Sequence, residues 1–106
     1  MTKQEYFKFH QSCLDKMTEI TKAKNADYTG ESEDPFANFS MVESMGICST
    51  EQGFLTRMSD KMARINSFVK LGQLQVKDES VKDTLLDLAN YAILFAGYIE
   101  SKKIGK

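Results

Sequence analysis

Tryptophan is absent from the 106 residues, proline and histidine occur once each, and cysteine occurs twice. A single histidine, His10, excludes a histidine-rich zinc centre. Cys13 and Cys48 are too few for a disulfide-stapled scaffold and fit reduced thiols inside a cell. One proline and six glycines leave too few turns for a many-stranded β sandwich. No Walker loop is present, and the glycines are too scattered for a dinucleotide fingerprint. A surplus of one charge is missing as well. The net charge is -1, whereas general affinity for duplex nucleic acid requires an excess of Lys and Arg. The longest apolar run, Tyr91 to Ile99, is too short to cross a bilayer, and Met1 to Lys8 lacks the apolar core of a signal peptide. These absences leave a cytoplasmic, water-soluble protein that folds as one helical domain over residues 1–106.

What is present is helical periodicity. Tyr6, Phe9, Cys13, Met17 and Ile20 recur at spacings of three and four, predicting a first helix from about Lys3 to Lys24. A polar loop then runs from Asn25 to Asp34. A short second helix is expected from Pro35 to Met45, with Asp34 as cap, Pro35 at its first position and Gly46 after its end. Phe36 and Phe39 would dock it. The third is expected from Thr50 to Leu71, opened by the capping-box spacing of Ser49 and Gln52 and closed by Gly72. Its apolar stripe is Leu55, Met58, Met62, Ile65 and Val69. The fourth is expected from Glu79 to about Lys103, capped by Asp78 or a neighbour. It is apolar nearly all the way round and must be covered on most sides. The expectation is an all-α four-helix bundle with the fourth helix central and a second subunit over part of Tyr91 to Ile99.

Charge is segregated along the chain. Asn25 to Thr56 holds six acidic residues and no Lys or Arg, whereas Arg57 to Lys77 holds five bases against one acid. On the fourth helix Glu79, Asp83, Asp87 and Asn90 share one face. Adjacent carboxylates on that face repel one another by a few tenths of a kcal/mol, so something positive should face them. Arg57, Asp60, Lys61 and Arg64 form a matching stripe on the third helix. Two readings stay open. Either Arg57, Lys61 and Arg64 neutralise Asp83 and Asp87 in a structural network, or the carboxylates hold a divalent cation while the bases hold a polyphosphate. Asp83, mid-stripe, is best placed to share an ion or a base with both neighbours. In the acidic stretch a nucleobase could stack on Tyr28 or Phe39, with Asn38 bonded to its edge; alternatively, Phe36 and Phe39 merely anchor the short helix.

Four blocks carry a family resemblance: Lys24-Asn25-Ala26-Asp27-Tyr28, Phe36-Ala37-Asn38-Phe39, Arg57 to Arg64, and Glu79 to Tyr91. In this order they resemble the small phage-associated nucleotide modification associated domain proteins, over roughly Lys24 to Leu94. The last block is also similar to the second acidic motif of MazG-like all-α nucleotide pyrophosphohydrolases. That resemblance implies a helical bundle, Mg²⁺ on helix carboxylates and water attack on a nucleoside triphosphate. The MazG pattern pairs Glu-x-x-Glu with Glu-x-x-Asp on a later helix. Here the third helix supplies only Asp60, and Glu79 and Asp83 are four apart.

Two functions follow as expectations. As a Mg²⁺-dependent nucleotide pyrophosphohydrolase, the chain would bind metal through Asp60, Glu79 and Asp83, with Asp87 orienting water and Lys61 stabilising developing charge. Arg57, Lys61 and Arg64 would hold phosphates. Asp27, Tyr28, Asn38, Phe39 and Asn90 would recognise the base. As a binding protein without turnover, the same pocket would sequester a nucleotide, including the cyclic signals of bacterial anti-phage defence, from a homo-oligomer.

Overall fold

The computed structural model describes residues 1–29, 32–73 and 80–103, apart from the side chains of residues 28 and 29. Four helices follow one another: α1 Lys3–Thr29, α2 Ala37–Ser44, α3 Thr50–Leu71 and α4 Val81–Lys102. No strand occurs among the described residues, and the all-α four-helix bundle expected from periodicity is the observed architecture.

The helix ends show which local signals act. α1 opens on Thr2 and Glu5, whose side chains each accept from the other's backbone N–H at 3.1 and 3.4 Å. It runs beyond Lys24, so Asn25 to Thr29 are helical rather than loop; no glycine or proline interrupts the chain before Gly30. Pro35 lies outside α2 instead of opening it. Asp34 accepts from the Phe36 N–H at 2.9 Å, a turn that leads into the helix, while Phe36 is the N-cap and offers no side-chain bond. Gly46, at φ +75°, ends α2: its own N–H reaches the Glu43 carbonyl and that of Ile47 reaches Val42. This left-handed position favours glycine because a Cβ would crowd the following carbonyl. At α3 the Ser49–Gln52 capping box forms in both directions, and Gly72 closes the helix at φ +76°. Ser80 is the N-cap of α4, its hydroxyl accepting from the Asp83 N–H. Asp78, the expected cap, and Glu79, the expected first residue of the helix, lie outside the described residues.

The core is a stack of aromatic rings. Phe54 of α3 is 0% exposed and lies between Phe39 of α2, at 4.0 Å and nearly parallel, and Phe95 of α4, at 4.7 Å. Tyr98 leans on Phe54 and meets the edge of Phe36, so both expected anchors dock α2. Each offset or edge-on ring pair adds about 1 kcal/mol beyond its burial. Gly53 lets α2 approach, since a Cβ there would sit 3.1 Å from Val42 Cγ2. Burial, with Glu51 nearby, pushes the Tyr98 phenol above its ordinary pKa.

This stack turns α3 away from the expected orientation, keeping Met58 and Ile65 of the expected stripe inward and leaving the other three out. Phe54 faces inward with Met58, Lys61, Ile65 and Phe68 half-buried beside it, whereas Leu55, Met62 and Val69 are exposed. The apolar arc of α3 is broader than one contact, and the ring with the most surface to bury sets the rotation. α4 is central as expected: α3, antiparallel to it, and α1 pack against it, and the rings of α2 reach it. α1 meets it through its C-terminal half, where Met17 is buried and its carbonyl accepts from Asn90 at 3.4 Å. The helix is not covered all round. Tyr98 is buried and Leu94 and Phe95 pack on the core, while Ala92, Ile93 and Ala96 are exposed.

Candidate functional site

Where α1, α2 and α4 converge, the rings stop and polar groups begin. Thr21, Lys24 and Asn25 of α1, Pro35 before α2, Asn38 and Phe39 of α2, and Asp87, Asn90, Tyr91 and Leu94 of α4 line a cleft. About 60 Å³ of it is open to the centres of water molecules. This is room for roughly five waters or the edge of a planar ring; a larger ligand would extend over the rim.

Asp87 is the electrostatic centre. Its side chain is 15% exposed and lies between two ammonium groups: Lys24 Nζ at 3.2 Å from Oδ1 and Lys61 Nζ at 3.3 Å from Oδ2. Lys61 is as secluded as Asp87, at 14%, whereas Lys24 is 43% exposed and stands toward solvent. Asp87 thus gathers ammonium groups from two different helices at the wall of the cleft. Lys24 and Asn25 lie three and four residues after Thr21, so all three reach the cleft side of α1, and the aromatic stack holds α3 close enough for Lys61 to reach α4.

Amides form the second feature. The Asn25 Nδ2 donates to the Pro35 carbonyl at 3.0 Å, tying the end of α1 to the approach to α2, and Asn90 holds α4 to α1 through Met17. Asn38 is half-buried on the first turn of α2, and its side chain bonds to no other described residue. Phe39 is floor: one face is stacked on Phe54 and its neighbour Tyr91 meets it edge-on at 6.2 Å. It is no open platform for stacking a base, because the core takes its area.

The remaining expected site residues lie elsewhere. Asp83 does not face the bases of α3. It pairs with Lys16 of α1 at 3.0 Å, and both side chains are more than two-fifths exposed. The Lys16 ammonium, then the Ser80 hydroxyl, hold its carboxyl below the ordinary value of 3.8. Asp83 and Asp87 lie one turn apart on the same face of α4, and α1 runs past both, supplying Lys16 to the first and Lys24 to the second. Arg64 approaches Asp60 of its own helix at 3.9 Å; Arg57 and Asp60 are exposed. Neither Arg57, Asp60 nor Arg64 lines the cleft. Asp27 is exposed at the end of α1. The Tyr28 side chain and all of Glu79 lie outside the described residues. His10 is exposed beside the Tyr6 ring, and both cysteines are half-buried and free.

Sequence reasoning thus named Asn38, Phe39, Asp87 and Asn90, which the fold brings to one cleft, and Lys61, which pairs with Asp87 at its wall. It missed Thr21, Lys24, Asn25 and Tyr91. Lys24 had a signal: it is the last base before the long acidic stretch.

The molecule is thus an all-α bundle with a small polar cleft beside its aromatic core. The sequence model of one family, nucleotide modification associated domain 1, matches residues 24–96, and the chain belongs to that family. The match begins at Lys24 and contains every cleft residue except Thr21. No curated protein and no solved structure matches the chain.

Proposed function

We propose that the chain binds a phosphorylated nucleoside, its base edge entering the cleft of α1, α2 and α4 and its phosphates lying over Lys24 and Lys61. One observation carries this: Asp87, secluded at the cleft wall, holds two lysines from different helices side by side. A phosphate group competes for the same ammonium donors and brings more charge and more acceptors than a carboxylate. Asp87 would keep the lysines in position without ligand and give way when phosphate arrives. The amides of Asn38 and Asn90 suit a base edge, because a primary amide both donates and accepts.

The finer reading we favour is sequestration of a nucleotide, cyclic forms included, over its hydrolysis. A Mg²⁺-dependent pyrophosphohydrolase would draw on Asp83 and Asp87, one turn apart. Among the described residues no three His, Cys, Asp or Glu side chains gather as a metal site, and both carboxylates already carry ammonium partners. Magnesium accepts one or two carboxylates when phosphates complete its shell. The described residues therefore suit an ion that arrives with a polyphosphate better than a resident one. We take the binder to be a homo-oligomer working in the cytoplasm, inside the host cell if a phage encodes it, since nucleotide pools lie there.

The test is a thermal-shift panel of nucleosides and their mono-, di-, tri- and cyclic phosphates in EDTA and in Mg²⁺, followed by chromatography of the products. The proposal expects a rise in Tm for phosphorylated ligands in EDTA, little for bare nucleosides, and intact ligand after denaturation. Equal shifts with and without phosphate would overturn the lysine assignment. New products only in Mg²⁺ would establish the hydrolytic reading instead.

A further inference from the structure

Part of the stripe expected to face the core of α3 is open, while Met58 and Ile65 are half-buried. Leu55, Met58, Met62, Ile65 and Val69 follow the alternating three-and-four spacing of a helix–helix seam; Leu55, Met62 and Val69 are each more than half exposed. Taking Phe54 as the inward direction, these three lie about 60–100° round the helix from it. α4 carries a companion strip. Leu85, Ala89, Ala92, Ile93 and Ala96 lie on the side of α4 away from Asp87 and Leu94; Ile93 is 61% exposed. α1 and α2 both dock on the cleft side of the α3–α4 pair, so among the described residues the other side is bare.

Charge is arranged to match. From Val81 to Ile99 the only charged residues of α4 are Lys82, Asp83 and Asp87; Asp83 and Asp87 both turn toward α1. Lys82 and Glu100, both exposed, bracket the apolar strip and lie five turns apart on the same line of the helix. The Lys82 ammonium, 5.8 Å from the Phe9 ring, marks the edge of the open face. A bare apolar strip with a cation at one end and an anion at the other is complementary to itself when reversed.

We propose that this face is the interface of a homodimer in which α4 packs antiparallel to its counterpart and α3 to its counterpart, about a two-fold axis level with Tyr91. Two independent features place the axis there. The midpoint of Lys82 and Glu100 is Tyr91, so each copy's Lys82 meets its partner's opposite charge at both ends. The contacts Phe54–Phe95 and Lys61–Asp87 put Tyr91 level with Met58, which is midway between Leu55 and Met62. The same axis therefore lays the Leu55 position of one copy over the Met62 position of the other. The three alanines let the α4 helices approach closely. Leu55, Met62, Val69, Leu85 and Ile93 place this patch near the upper end of the roughly 300–600 Å² that a monomer carries. Two such faces reach the roughly 1,000 Å² at which stable interfaces begin. Polar ends around an apolar, charge-poor centre are the anatomy of such an interface.

Light scattering at micromolar concentration tests this without any ligand, so its outcome is separate from that of the nucleotide reading. The expected mass is two chains. Met62→Asp with Ile93→Asp should give one chain with its helical circular dichroism intact. Glu100→Lys should weaken association about tenfold, since symmetry repeats the like-charge contact at both ends, and adding Lys82→Glu should restore it. A wild-type mass of one chain overturns the proposal, and so does a dimer indifferent to the double Asp variant. A charge reversal that Lys82→Glu does not rescue overturns the antiparallel register.

Discussion

Asp83 and Asp87 are the same residue one turn apart on the same helix, and each is paired with lysine of α1. Asp87 is enclosed between Lys24 and Lys61 and belongs to a cleft. Asp83 is open to water, pairs with Lys16, and donates its backbone N–H to the Ser80 hydroxyl that caps the helix. Enclosure makes the difference. Water and salt screen the outer pair, so it contributes little, whereas the inner one interacts at a lower effective dielectric and its loss leaves charge behind. A ligand phosphate reaching Lys24 and Lys61 would gain from the same low dielectric.

The comparison can be broken most directly at Asp87. Asp87→Ala should cost about 2 kcal/mol in urea unfolding at neutral pH, less than a fully buried pair because Lys24 is partly solvated. Adding Lys61→Met should recover most of it, and a double-mutant cycle measures the coupling. Next in size is the ligand effect. Lys24→Ala should weaken binding of a phosphorylated nucleoside about tenfold, or about 1.4 kcal/mol, while Lys16→Ala leaves it unchanged by calorimetry. Ser80→Ala should cost about 1 kcal/mol by removing the α4 cap, without altering affinity. Asp83→Asn should have the smallest effect, a slight drop in Tm at low salt that vanishes in high salt. Because the folded carboxyl titrates below its unfolded value of 3.8, its contribution is present above that pH and is lost as pH falls through the folded value. The melting difference between Asp83→Asn and wild type should therefore close on acidification below 3.8. A difference that widens instead would mean that the Lys16 pair is not its source.

Much of the fold was legible because it depends on local chemistry. Ser49 and Gln52 open α3, and Gly46 and Gly72 end helices in a left-handed turn; these are interactions within five residues. Failures arose where a partner across the bundle decides. Leu55 and Phe54 are adjacent and both apolar, and nothing in their spacing says which faces inward until the rings of Phe39 and Phe95 are brought to either side of Phe54. The acidic stripe of α4 was visible, but not that α1 splits it between Lys16 and Lys24.

The sequence by itself determined four helices, most of their ends, the family, and the residue types of the cleft, since periodicity, caps and motif order are properties of neighbours in the chain. Only tertiary structure decided which of two equivalent carboxylates is enclosed, which lysines meet it, and which side of the α3–α4 pair is bare among the described residues. These depend on the rotation and crossing of helices, which the burial of a few large rings sets once all four have come together.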